Sequence, residues 1–103
     1  MKSSVPTGSK VIAAIAWFIE AEYPACLELF DDSDSLHPTY GGWVLNAQEM
    51  IQELETEGVA VRKVVIHVEE FKAWCDARSL PYDATARSRF ASETVSNDRK
   101  NEV

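Results

Sequence analysis

Residues 39–57 read TYGGWVLNAQEMIQELETE, and this stretch decides how the chain is organised. Its apolar residues recur at spacings of three and four, which is the pattern of one continuous stripe along an α-helix. Thr39 is a suitable N-cap, and Gly58 stands where a left-handed residue ends a helix. We therefore predict a helix over 39–57 that organises the core. The predicted stripe consists of Tyr40, Trp43, Val44, Ala47, Met50, Ile51 and Leu54.

The chain has 103 residues, of which 46% are apolar and 26% are charged, so it suits one domain with a single core. We predict a globular domain over 10–93, a flexible lead-in over 1–9 and a disordered tail over 94–103. The longest apolar run, 11–19, is about half of the roughly 20 residues that a membrane helix needs. The start of the chain also lacks a signal-peptide pattern. These features predict a cytoplasmic protein that does not bind a membrane.

Residues 10–19 suit either a buried strand or a buried helix, and Pro24 decides between the two. A helix from 10 to 30 would place this proline in its interior, at a cost of about 3 kcal/mol. We therefore predict a strand over 11–18 and a helix over 21–31, which puts Pro24 in a first turn.

The second half of the chain predicts one strand and two helices. The strand, 59–68, is rich in β-branched residues. The helices are expected over 69–78 and over 84–93, the second capped by Asp83, with Phe90 facing inward and Arg87 more exposed. The order β-α-α-β-α-α indicates an α/β or α+β domain, with a two-stranded sheet covered by about four helices. Two strands make a thin sheet, so pairing of a sheet edge in a homodimer is a further prediction.

Several motifs resemble those of a family of small bacterial proteins of unknown function. Pro38, Thr39, Tyr40 and Trp43 form a Pro-Thr-Tyr-x-x-Trp helix start, and 71–75 form a Phe-x-x-Trp-Cys helix. The resemblance covers about residues 15–92, and its motifs concern packing and capping, so it implies no activity. The chain departs from the family pattern at two places. Gly41-Gly42 replaces an acidic capping-box residue, and His67-Val68 replaces a helix-capping Asp-Pro.

Charge is distributed unevenly along the chain. The net charge is −7, and residues 20–57 contain ten acids and no Lys or Arg. Phosphate-backbone binding depends on clustered basic residues, so this pattern argues against nucleic-acid binding. Our leading hypothesis is a non-enzymatic interaction or regulatory module with an acidic helical surface for a basic protein partner. The candidate partner-binding residues are Asp31, Asp32, Asp34, Glu49, Glu53 and Glu57.

Three other interpretations of the acidic surface stay open. It can be a solvated face that aids solubility. It can mimic nucleic-acid charge, as in an acidic inhibitor. It can also be neutralised internally, if Arg78, Arg87 and Arg89 fold back onto it.

A small ligand-binding or hydrolase-like site is the alternative function. His67 ends a predicted strand, a position where α/β sheets bind ligands. Gly41-Gly42, at a helix start, leaves room for the close approach of another group. A lone histidine acting as a weak cap or edge residue is the competing interpretation. Cys26 and Cys75 are expected to be reduced and buried. The sequence identifies no catalytic residue, no metal site and no cofactor.

Overall fold

Two parallel strands, β1 (Ile12–Trp17) and β2 (Ala60–Val65), form the sheet. Ile12 lies opposite Ala60 and Trp17 lies opposite Val65. The structure is a computed structural model that describes residues 11–101, with side chains over 11–97. The predicted lead-in over 1–9 and the last two residues, 102–103, lie outside the described residues.

The connection between the strands carries two helices, as a parallel pair requires. A 3₁₀ turn (Glu20–Glu22) leads into α1 (Tyr23–Leu29), and a second turn (Ser33–Ser35) precedes α2 (Tyr40–Thr56). After β2 the chain forms α3 (Val68–Arg78) and α4 (Ala84–Asn101). The predicted α+β domain with four helices and a two-stranded sheet is therefore confirmed, in the predicted order.

The predicted helix boundaries have the expected chemistry. The Thr39 hydroxyl oxygen accepts a hydrogen bond from the Gly42 N–H at 3.1 Å, which caps the start of α2. Gly58 has φ +89°, the left-handed conformation that ends this helix. Pro24 lies in the first turn of α1, where its missing N–H leaves no helical hydrogen bond unmade.

The core lies between the sheet and the helices. α4 packs against β1, and α2 packs against β2. Trp43 of α2 contacts two aromatic rings from the end of β1, with centroid distances of 4.8 Å to Trp17 and 4.7 Å to Phe18. From the predicted stripe, Trp43, Ala47 and Ile51 are buried, whereas Met50 is 43% exposed.

Two expectations about the last helix are corrected. α4 continues to Asn101, beyond the helix end predicted at residue 93. Val95 is buried one turn after the buried Ala91, so the core holds this part of the chain in a helix. Arg87 was expected to be exposed and is only 6% exposed, because it has an acidic partner in the core wall.

Candidate interaction surface

The buried Arg87 and the half-buried Asp32 form a bidentate ion pair. The Arg87 guanidinium donates to the two carboxylate oxygens at 2.9 and 2.7 Å, a geometry that favours strong pairing. The same guanidinium lies 4.4 Å from the ring centroid of Phe30. Arg87 lowers the pKa of Asp32, chiefly by hydrogen bonding to its carboxylate. Asp32 is therefore occupied by a tertiary contact within the chain.

The other acids of the predicted loop have separate environments. Asp31 binds Tyr82 twice: its N–H donates to the Tyr82 carbonyl at 2.8 Å, and its carboxylate accepts from the Tyr82 N–H at 3.2 Å. This contact joins the end of α1 to the connection between α3 and α4. Asp34 is exposed beside a surface cavity that Leu27 and Leu36 help to line. The loop thus offers one acid without a described polar partner.

The acidic face of α2, defined as Glu49, Glu53 and Glu57, is arranged differently. These residues recur every four positions, so they follow one line along the outside of the helix. All three are exposed. Among the described residues, no side-chain hydrogen bond or ion pair reaches their carboxylates. The acidic face of α2 is thus a line of exposed carboxylates without a described partner.

The internal arginines contribute little to neutralising this face. Arg87 does fold back, but onto Asp32. Arg78 lies over the Trp74 ring at 4.3 Å and donates to the Trp74 carbonyl. Arg89 pairs with Glu93 one turn away. Among the described residues, Asp32 is therefore the one predicted partner-binding acid that pairs with an arginine.

His67 belongs to a helix-start contact that the sequence did not reveal. One Glu22 carboxylate oxygen lies 2.9 Å from His67 Nδ1, and the other accepts from the Val68 N–H at 2.8 Å. Glu22 thus supplies the cap that the His67-Val68 pair lacks for α3. Its hydrogen bond to His67 lowers the pKa of Glu22 and raises the pKa of His67. The acidic partner of His67 lies 45 residues earlier in the chain, so no local sequence motif predicts the contact.

Gly42 lies against a different histidine. A Cβ added at Gly42 would stand 2.2 Å from Cε1 of His37, whereas a Cβ at Gly41 would meet nothing within 4 Å. The Thr39 N–H donates to His37 Nδ1 at 3.0 Å, which holds the ring above Gly42. The close approach that the glycine pair permits is therefore made by the chain itself, and His67 and Gly42 have separate partners.

The two cysteines are buried, free and poorly suited to nucleophilic chemistry. Burial raises the pKa of Cys26 to about 11 and also raises the pKa of Cys75, so both favour the neutral thiol. Over the described residues, no group of three or more His, Cys, Asp or Glu side chains could hold a metal ion.

An apolar groove follows the outer edge of β1. We call it the edge groove and define it by Ile15, Ala16, Leu36, Trp43 and Met50, which line both of its cavities. Their volumes are about 240 and 350 Å³. The sequence analysis placed Met50 in the buried stripe and therefore did not predict the groove. The sequence feature that indicated an unpaired sheet edge was the prediction of a two-stranded sheet.

Comparisons with family models, with curated proteins and with solved structures gave no match to this chain. The resemblance to small bacterial proteins therefore rests on the quoted motifs. In the described part of the chain, no helix is both long and apolar enough to span a bilayer.

Proposed function

We propose that this protein is a non-enzymatic interaction module that presents the acidic face of α2 to a basic surface on a protein partner. The observation that carries the proposal is a line of three exposed acids on one helix, which contrasts with the acids that have partners within the chain. Asp32, Asp76, Glu93 and Glu22 each have a cationic or histidine partner within the chain. Glu49, Glu53 and Glu57 are exposed with no such partner among the described residues.

Helix electrostatics supports the same proposal. Acids favour the N-terminal end of a helix and cations the C-terminal end. α3 follows this rule, with Glu69 and Glu70 in its first turn and Arg78 in its last. α2 has no acid in its first turn and no base in its last, and Glu57 follows directly on its C-terminal end. Like charges four residues apart also repel. The charge of α2 therefore does not serve helix stability, which is the expectation for a surface kept for a partner.

The proposal is tested by reversing the charge of this face. Partners are captured on the immobilised chain at low salt, cross-linked and identified by mass spectrometry, and the affinity of the purified partner is then measured by calorimetry. We expect Glu49→Lys/Glu53→Lys/Glu57→Lys to weaken binding by roughly tenfold or more, and salt to weaken binding to the unmodified chain.

A matched variant separates the face from net charge. Glu20→Lys/Glu28→Lys/Glu69→Lys makes the same change in charge at exposed acids elsewhere. It should retain binding to within a few-fold if long-range attraction is minor. Equal losses in both variants, or full binding by the α2 variant, would refute the proposal.

A further inference from the structure

The outer edge of β1 has backbone groups that point away from the sheet. The carbonyls of Val11 and Trp17 accept hydrogen bonds from Ala60 and Ile66 of the neighbouring chain segment, at 3.0 and 2.9 Å. Residues of a paired strand alternate between facing the neighbour and facing away. The N–H and C=O groups of Ile12, Ala14 and Ala16 therefore point away from β2, and no described strand pairs with them there. Ala14 and Ala16 also line the cavities of the edge groove.

This edge lacks the features that usually protect a strand from further pairing. Proteins block open edges with charged residues, prolines or bulges. β2 carries Arg62 and Lys63, whereas β1 reads IAAIAW, without charge or proline. All six β1 residues are half-buried between the helices. The outer edge of β1 can therefore pair with a further strand, and its surroundings are apolar.

The groove has room beside the strand and apolar walls. α2 contributes Trp43 and Met50, and Ala84 and Ser88 at the start of α4 border the larger cavity. Arg87 also borders that cavity, but Asp32 already pairs with it. An extended segment can therefore lie along β1 without burying an unpaired charge.

The charge beside the groove identifies the kind of segment that fits. Asn46 and Met50, which line the groove, belong to one helical stripe with Glu53 and Glu57, at spacings of four, three and four. The Val59 N–H donates to the Leu54 carbonyl at 3.0 Å, so α2 ends where β2 begins. Glu53 and Glu57 therefore extend the α2 wall toward the starts of the strands.

We propose that the edge groove receives an extended segment of a basic protein partner, which adds as a third strand beside β1. Its backbone pairs with the outward groups of Ile12, Ala14 and Ala16, and its alternate apolar side chains fill the groove. Its Lys or Arg side chains lie toward Glu53 and Glu57. A second copy of this chain that pairs through its own β1 is a poorer occupant, because that strand brings no cation to these carboxylates. This inference rests on the proposed function and assigns a binding mode to it.

The test begins with peptides selected for binding. A displayed library of random seven-residue peptides is panned against the full chain, and the enriched pool is synthesised. We expect alternating β-branched residues with Lys or Arg toward one end. Hydrogen exchange at the Ala14 and Ala16 amides should slow when the enriched peptides are bound, because these N–H groups then donate hydrogen bonds to the added strand.

Two proline variants locate the binding edge. Ala14→Pro removes an outward N–H and leaves the β1–β2 ladder intact, so it should weaken pool binding by roughly tenfold or more. Val65→Pro makes the same change at the outer edge of β2 and should bind the pool normally. Circular dichroism checks that both variants fold, and the exchange measurement on the unmodified chain tests the inference if Ala14→Pro does not.

The outcomes separate strand addition from the proposed function. If Glu53→Lys/Glu57→Lys abolishes binding of the peptide pool while Ala14→Pro still binds it, the proposed role of the acidic face is supported and strand addition is refuted. If both variants bind normally, both proposals fail. A dimer mass by sedimentation, with slow Ala14 exchange in the absence of peptide, would assign the edge to a second copy. Binding gained only after removal of residues 1–10 would assign it to the chain's own start. Either result overturns the inference.

Discussion

Two groups of acids in the first half of the chain, Glu22 with Asp32 and the acidic face of α2, have different environments. In the region before α2, Glu22 and Asp32 acquire partners from the second half of the chain, His67 and Arg87. On α2, the acidic face acquires none among the described residues. Both regions lack Lys and Arg in the sequence between 20 and 57. The difference shows that a deficit of local cations does not identify a free surface, because partners can come from 45 or 55 residues away.

The largest expected effect comes from removing an acid of the paired region. Asp32→Ala leaves the buried Arg87 guanidinium without its partner and should destabilise the fold by about 3 kcal/mol. Glu53→Ala, on the acidic face of α2, should change the free energy of unfolding by no more than about 0.5 kcal/mol. Urea unfolding of both variants measures the contrast. Similar stabilities would contradict the division into two regions.

The junction between the two regions should respond next most strongly. Gly42→Ala places a methyl group against the His37 ring, which must move and give up its bond from Thr39, so we expect a loss of about 1 kcal/mol. Gly41→Ala enters open space in the same turn and should gain about 0.5 kcal/mol from helix propensity. Thermal unfolding of the two variants measures this difference in stability. A higher melting temperature for Gly42→Ala than for the unmodified chain would exclude a tight contact between Gly42 and His37.

A smaller effect, visible in the pH dependence, should come from Glu22 and His67. The raised pKa of His67 means that its contribution is complete below its ordinary value of 6.5 and is lost as pH rises through the folded value. The lowered pKa of Glu22 means that its contribution is complete above 4.5 and is lost as pH falls. The pair should stabilise most between these values.

The His67 contribution is isolated by comparing His67→Gln with the unmodified chain. Urea midpoints are measured at about pH 5.5 and about pH 8.5, on either side of an ordinary histidine pKa. We expect the unmodified chain to lose stability toward the higher pH and the variant to lose less. An identical decline in both proteins would show that His67 does not contribute.

The smallest effect on stability is expected from neutralising the free face. Glu49→Gln/Glu53→Gln/Glu57→Gln removes repulsion along α2 and an unfavourable charge beyond its C-terminal end, so stability should rise by up to about 0.5 kcal/mol. Partner binding should fall sharply in the same variant. A loss of more than about 1 kcal/mol would mean that these carboxylates stabilise the fold.

Most of the fold could be predicted from the sequence because its signals are local. The cap at Thr39, the left-handed Gly58 and the first-turn Pro24 each act within a few residues of their own position. The end of the last helix was predicted too early, because Val95 is held by burial in the core and not by a local signal.

The candidate sites were less predictable. Periodicity located the acidic face, since it needs only the register of one helix. It could not reveal that Met50 borders a groove, because that depends on where α2 lies relative to β1 and α4. Glu22 was missed as the partner of His67, since that contact joins distant segments. Folding back of Arg87 onto the acids was one of the open interpretations, but the sequence did not identify Asp32 as the acid that Arg87 reaches.

By itself, the sequence determined the order of the elements, the length and register of α2, and the charge of its outer face. These properties follow from short-range backbone preferences and from the spacing of apolar residues. Only the tertiary structure decided which acids are neutralised and which edge of the sheet borders an apolar groove. Those properties depend on distances between segments far apart in the chain, where packing and ion pairing select the neighbours. The helix that organises the core thus also borders the groove and carries the exposed acidic face beside it.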